Sequence, residues 1–187
     1  MDIREHSVTL VSVVIGLGLT ELLGNLNRLI RARGKVRWHG LPVAWTLYVL
    51  LLVVTFWWGV YLGVLGITTP QNAFEFLLNL CSPLIVYLIC SAALPDIDVE
   101  RGVDLRAAYF SGARYFFGLT VVYILVTMVQ VAVQSGGLEW SQLMAIRVGL
   151  VAAVLPLVWV RSERYHWCAA ILVLALTAYR MTLQVLR

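Results

Sequence analysis

Six long apolar runs, separated by short polar connections, dominate the pattern of hydrophobic and polar residues along the chain. They cover residues 7–30, 41–67, 73–94, 112–133, 138–160 and 165–186. A helix needs about 20 apolar residues to cross a hydrocarbon core of roughly 30 Å, and every run reaches that length. The pattern predicts an all-α polytopic membrane protein, in which residues 1–187 form one bundle of six transmembrane helices.

Two other interpretations fit the apolar runs less well. Strands of a membrane β-barrel alternate in polarity, whereas these runs are continuously apolar. The first run could be a cleaved signal peptide, but it exceeds the roughly 7–15 residues of a signal core and has no A-x-A cleavage pattern. We therefore expect it to be a retained span.

Basic residues are concentrated in alternate connections, which predicts the orientation of the bundle. Ten of the 14 Lys and Arg residues lie in or beside the connections around 31–40, 95–111 and 161–164. Cytoplasmic loops carry such an excess, so these connections are predicted to be cytoplasmic in a bacterial-type inner membrane, with both termini on the other side. The net charge of +4 is explained by this topology and by contact with anionic membrane lipid. No nucleic-acid partner is expected.

A few ionisable and polar side chains interrupt the apolar runs and are the main candidates for function. They are Thr20, Glu21 and Asn25 in the first run, Glu75 and Asn79 in the third, Gln130 in the fourth, Arg147 in the fifth and Arg180 in the sixth. A charge near the bilayer centre costs at least about 2.5–3.5 kcal/mol unless it is paired or hydrated. Such residues are therefore candidates for an ion path or a buried polar network.

The depths of these residues suggest how they could be grouped. At a rise of 1.5 Å per residue, Glu21 and Arg147 differ in depth by roughly 8 Å, a gap that two extended side chains or one water can close. Arg180 and Asn79 are expected at similar depth, with Glu75 above them and Gln130 in the same outer half. We therefore predict a Glu21–Arg147 pair, direct or through water, and a second polar cluster in the outer half of the bundle.

Small residues and prolines predict details of helix packing. Ser12, Gly16 and Gly24, together with Thr20, recur every fourth residue on the first helix, a pattern that permits close approach of transmembrane helices. Pro83 and Pro156 each remove a helical hydrogen bond, and we expect a kink at both.

The remaining chemistry-bearing residues give weaker patterns. Asp96, Asp98, Glu100 and Asp104 alternate but lack the glycine and terminal glutamate of a calcium loop, which favours a solvated loop. From Val103 onward an amphipathic segment is expected to lie along the membrane surface before the fourth span.

His39 and His166 could meet near one interface, although two separate interfacial histidines are favoured. The spacing of His and Cys residues matches no metal site, so neither a metal nor a cofactor is expected.

Three functions are compatible with these features. The first is a channel-like subunit or compact carrier with a polar path for a small ion or proton, expected to form a homo-oligomer. The second is a non-catalytic scaffold or complex subunit whose buried charges fix helix packing. The third is an intramembrane lipid-modifying enzyme, for which no G-x-S-x-G or H-E-x-x-H motif is present. We favour the first.

Overall fold

A computed structural model of the protein describes residues 3–61, 73–95, 102–135 and 142–185. They form six α-helices: α1 Ile3–Arg31, α2 Gly40–Tyr61, α3 Ala73–Ala92, α4 Leu105–Ser135, α5 Gln142–Val154 and α6 Glu163–Val185. Short 3₁₀ turns occupy Arg33–Lys35 and Leu155–Val158. Predictions for residues 62–67, 138–141 and 186, and for Asp96, Asp98 and Glu100, fall outside the described residues.

The all-α prediction is confirmed, and four of the helices are long and apolar enough to cross a membrane. These are α2, α3, and the parts Val8–Arg31 of α1 and Leu105–Val133 of α4. The fifth and sixth apolar runs coincide with α5 and α6. In the described part of the chain, neither helix is among the four that are long and apolar enough to cross a membrane. Six spans therefore stay a prediction.

Proline ends the α-helical part of the fifth run. The α-helix stops at Val154, and Pro156 lies in the 3₁₀ turn that follows, where the backbone nitrogens of Trp159 and Val160 donate to its carbonyl at 3.1 and 2.9 Å. Thirteen α-helical and four 3₁₀ residues together rise roughly 28 Å. Pro156 thus marks a change of helix type rather than a bend within one continuous α-helix. Pro83 lies inside α3, as predicted.

Helix α4 begins seven residues earlier than the apolar run suggested. The Asp104 carboxylate accepts hydrogen bonds from the backbone nitrogens of Arg106 and Ala107 at 2.9 and 3.1 Å, which satisfies two donors of the first turn. Residues 105–111 are therefore the start of α4 rather than a separate segment before it. Their position along the membrane surface stays a prediction.

Two short strands join connections that are distant in sequence, a feature that the apolar pattern did not predict. Strand β1, Val36–Arg37, pairs in parallel with β2, Val103–Asp104. Gly102 precedes β2 with a φ of 72°, and a Cβ there would lie 2.8 Å from the Lys35 carbonyl oxygen. Glycine is thus required by both conformation and space. The ladder fixes the α1–α2 connection against the start of α4.

Helix α1 packs mainly on α3, and the glycine at the contact is not one of those predicted. Buried positions recur along α1 at alternating spacings of four and three, namely Val11, Ile15, Gly18, Leu22, Asn25 and Leu29. A Cβ at Gly18 would lie 3.2 Å from the Tyr87 Cα, whereas a Cβ at Gly16 or Gly24 would meet nothing within 4 Å. Among the described glycines of α1, close approach therefore occurs at Gly18, and a Cβ would find open space at Gly16 and Gly24 on the predicted face.

Candidate functional site

Two arginines of the fifth and sixth apolar runs, which the sequence analysis assigned to different clusters, line one cavity. Arg147 on α5 and Arg180 on α6 border a space of about 40 Å³ between α2, α4, α5 and α6. The other lining residues are Tyr48, Leu52, Thr55, Tyr123, Ile124, Thr127, Leu150 and Thr177. Tyr48 and Tyr123 belong to two of the four helices that are apolar enough to span a membrane, so the cavity lies within the apolar part of the bundle.

The cavity offers hydrogen-bond donors chiefly through its arginines and tyrosines. The hydroxyls of Thr55, Thr127 and Thr177 each donate to a carbonyl of their own helix at 2.8 Å, so their hydrogens are already used. Tyr48 and Tyr123 make no hydrogen bond with another described residue, and their phenolic hydrogens can point into the cavity. Two guanidinium groups and two phenols therefore make a donor-rich lining.

Positive charge in this cavity is uncompensated by the described residues. Arg147 is only 8% exposed, and its electrostatic neighbours are Arg180, which repels it, and Tyr123. No ion pair between described residues involves either arginine, and no carboxylate from these residues lines the cavity. Like charges that are withdrawn from water raise the free energy of the folded protein unless a counter-charge is present.

The predicted ion pair between Glu21 and Arg147 is not formed. Helix α1 packs on α3 and α2, whereas α5 packs on α4 and α6, so similar depth does not make the two residues neighbours. Glu21 instead accepts a hydrogen bond at 3.3 Å from the amide of Asn25, one turn along α1. Thr20 is exposed and donates to the Gly16 carbonyl at 2.8 Å. The polar strip of the first helix is thus local to that helix.

Asn25 is a buried member of this strip. Its side chain lies in the series of buried α1 positions and is 3% exposed, and its Oδ1 atom has no partner among the described residues. A polar side chain in an otherwise apolar helix seam can fix the register of the packed helices. Asn25 therefore supports a structural interpretation of this part of the chain.

The second predicted cluster is divided between two places. Gln130 on α4 accepts a hydrogen bond from Ser82 and donates to the Leu78 carbonyl, each at 2.8 Å, and so joins α4 to α3 just before Pro83. Asn79 is buried on α3 and Glu75 is partly buried in its first turn. Arg180, which was expected near them, lines the cavity with Arg147 instead. The sequence analysis missed Ser82, although its position beside Pro83 within an apolar run was a signal that could have identified it.

The opposite end of the bundle is held together by ion pairs that the sequence analysis also missed. Arg37 contacts Asp104 at 3.1 Å, and Glu163 at the start of α6 contacts both His39 and Arg106 at 3.0 Å. The hydrogen bond from His39 lowers the pKa of Glu163, with help from the Arg106 charge. Backbone donors, first that of Ala107, lower the pKa of Asp104. These contacts join the α1–α2 connection to the beginning of α4 and of α6, and join those two helices to each other.

The two interfacial histidines have separate partners. His39 contacts Glu163, whereas the fully buried His166 donates from Nε2 to the Val160 carbonyl at 2.8 Å. Nδ1 of His166 therefore accepts a hydrogen bond of 2.6 Å from the Tyr109 hydroxyl. A shared histidine site is not formed, and no group of three or more His, Cys, Asp or Glu within the described ranges is arranged to hold a metal.

The arginine cavity brings together two guanidinium and two phenol groups. The lipid-modifying enzyme considered from the sequence would use Glu21 or Glu75 with Arg147, and neither carboxylate lines the cavity. Guanidinium and phenol groups are instead suited to hold an anion by charge-assisted hydrogen bonds. Comparison of the chain with models of protein families, with curated proteins and with solved structures finds no match.

Proposed function

We propose that the protein is a membrane channel subunit or compact carrier for a small ion, and that this ion is an anion. The observation that carries the proposal is the cavity that the buried Arg147 shares with the partly exposed Arg180, among four helices and with no described carboxylate beside it. A charge near a bilayer centre costs at least about 2.5–3.5 kcal/mol unless it is paired or hydrated. An anion that passes between the arginines lowers this cost for both, so the site attracts anions and repels cations.

The size of the cavity supports a small anion. One water-sized object needs about 10–15 Å³, so a cavity of about 40 Å³ has room for roughly three. A halide or a compact oxyanion such as nitrate or bicarbonate meets this limit, whereas a phosphorylated lipid head group does not. Tyr48 and Tyr123 supply neutral hydrogen-bond donors, which bind an anion weakly enough for it to be released.

The proposal includes the predicted topology. Six spans, with the basic connections facing the cytoplasm of a bacterial-type inner membrane, bring α5 and α6 and therefore both arginines into the bilayer. The roughly 28 Å of α5 and its 3₁₀ turn is close to the thickness of a hydrocarbon core. The open space around Gly16 and Gly24 leaves a small-residue face to which a second copy can bind, in keeping with a homo-oligomer.

Anion efflux from proteoliposomes tests the proposal. Liposomes loaded with chloride and clamped with valinomycin should release chloride when they contain the wild-type protein, and replacement by nitrate should sustain the flux. Arg147→Gln and Arg180→Gln should each reduce it by at least about tenfold, since each removes half of the positive charge of the cavity. Arg114→Gln, which neutralises an exposed arginine on α4, is the matched control.

Two further results separate this proposal from a cation or proton path. Glu21→Gln should leave chloride efflux unchanged, because Glu21 and the cavity belong to different parts of the bundle. A proton or potassium flux that depends on Glu21 and is indifferent to Arg147 would reject the anion proposal. Absence of any ion flux from correctly folded protein would reject the transport proposal altogether.

A membrane scaffold is the second candidate, because some polar side chains bond one helix to another at places away from the arginine cavity. The bonds of Gln130 to Ser82 and Leu78 tie α4 to α3, and Asn25 is buried in the seam of α1. A scaffold should transport nothing, yet should lose stability when these residues are replaced. The flux assay therefore discriminates the two candidates.

A further inference from the structure

An apolar groove runs between α1 and α2, at the end of these helices where the basic connection joins them. It has a volume of about 620 Å³ and opens to the surface of the bundle. Its walls are mainly apolar side chains, among them Leu22 and Leu26 on α1 and Leu47 and Leu50 on α2, and Trp38 and Gly40 lie at one end. We propose that this groove binds one anionic phospholipid, with an acyl chain between the helices and the head group on the α1–α2 connection. This proposal is independent of the proposed ion path.

Charge at the closed end of the groove matches an anionic head group. The connection carries Arg31, Arg33, Lys35 and Arg37 and no acidic residue, and all four side chains are exposed. This connection follows the α1 wall in sequence and leads directly into Trp38, His39 and Gly40 at the closed end of the groove. Arg31 and Arg33 make no contact with an acidic residue among the described residues, so both are available to a phosphate.

The dimensions of the groove match one leaflet. From Gly40 to Leu50 the α2 wall rises about 15 Å, which is half of a hydrocarbon core of roughly 30 Å. Trp38 is exposed at the closed end, where an indole ring is expected at the depth of lipid head groups. The groove therefore extends from the head-group region to the bilayer centre, as an acyl chain of that leaflet does.

The apolar walls and the basic end together favour a lipid over a second copy of the chain. A second copy would bring its own cationic connection, Arg31 to Arg37, against this one if it docked in the same orientation, and like charges repel. An anionic lipid brings the opposite charge and an apolar chain in one molecule. Each arginine that contacts such a head group is expected to strengthen binding by about fivefold.

Native mass spectrometry of the intact protein in detergent tests the proposal. The protein is equilibrated with phosphatidylglycerol or with phosphatidylcholine of identical acyl chains, and retained lipids are counted. The wild type should retain one phosphatidylglycerol and little phosphatidylcholine. Leu47→Trp should abolish retention by filling the groove from an exposed position, and Arg31→Gln with Arg33→Gln should weaken it by about 25-fold.

Controls keep the result interpretable. Leu125→Trp on α4 adds the same ring at a residue of matching exposure, 47% against 49% for Leu47, and should retain the lipid. Arg114→Gln removes an exposed arginine of α4, a helix that does not line the groove, and should have no effect. Undiminished retention by Leu47→Trp, or equal retention of phosphatidylcholine, would overturn the proposal. So would a wild-type dimer that Leu47→Trp converts to a monomer, because a second copy would then occupy the groove.

Discussion

Replacement of two glycines that lie two residues apart on α1 should have opposite effects on stability. Gly16 has open space around the position of a Cβ, so Gly16→Ala removes the flexibility of glycine from a helix at no steric cost. We expect a gain of about 0.5–1 kcal/mol in the free energy of unfolding. A Cβ on Gly18 would lie 3.2 Å from the Tyr87 Cα, about 0.3 Å short of an ordinary carbon contact.

Gly18→Ala therefore forces α1 and α3 apart by a few tenths of an ångström. Overpacking of this kind costs about 1–3 kcal/mol, and the helical gain from alanine offsets up to about 1 kcal/mol of it. The two alanine variants should thus differ by about 1–3 kcal/mol. Substitution by leucine should increase the difference in stability between the two positions. The Cys90 sulfur lies 3.4 Å from a Cβ at Gly18 and leaves no room for a longer side chain. Gly18→Leu should lose more than about 3 kcal/mol, and Gly16→Leu less than about 1 kcal/mol.

Equilibrium unfolding in mixed dodecyl maltoside and dodecyl sulfate micelles, followed by tryptophan fluorescence, measures these differences. Size-exclusion chromatography at each protein concentration establishes the oligomeric state in the same samples. Equal destabilisation by Gly16→Leu and Gly18→Leu in the monomer would refute the packing argument. A loss with Gly16→Leu that occurs only in an oligomer would instead indicate that the small-residue face contacts a second copy.

Two other predictions concern the remaining polar contacts. Gln130→Leu should lower the free energy of unfolding by about 1–3 kcal/mol, because the hydrogen bonds to Ser82 and Leu78 are both lost. A double-mutant cycle with Ser82→Ala should give a coupling energy near 0.6 kcal/mol. A coupling energy of zero would contradict the hydrogen bond between the two side chains. Glu163 has a lowered pKa in the folded protein, so the stability that it contributes is complete above its ordinary pKa of 4.5 and is lost as the pH falls through the lowered value. Melting temperatures between pH 7 and pH 3 should therefore fall less steeply for Glu163→Gln than for the wild type, and parallel profiles would argue against the contacts with His39 and Arg106.

Much of the helical architecture follows from local sequence. Long apolar runs form helices in any environment that excludes water, because only internal hydrogen bonds satisfy the backbone there. Pro156 ends an α-helix because it has no N–H to donate, and its position was visible in the sequence. The early start of α4 was not predicted, because the cap by Asp104 acts on backbone groups and leaves the apolar pattern unchanged.

The candidate site depends on which residues of different helices lie side by side. The depth of a residue along the bundle axis does not specify this. Glu21 and Arg147 have compatible depths, yet they lie on helices that do not pack together. Arg147 and Arg180 were expected in different clusters and line one cavity. Rise per residue gives a position along the bundle axis, whereas the angular order of the helices around that axis depends on side-chain packing across all of them.

The residues alone therefore established an all-α chain of long apolar helices and located a small set of polar groups within the apolar runs, because backbone hydrogen bonds are satisfied within each helix. Only the tertiary structure decided that Gly18 rather than Gly16 meets a neighbouring helix, that Gln130 bonds to α3, and that two arginines share a cavity. Small residues on two faces of one helix look alike in sequence. Which face is packed depends on the shape and charge of helices that are distant in the chain.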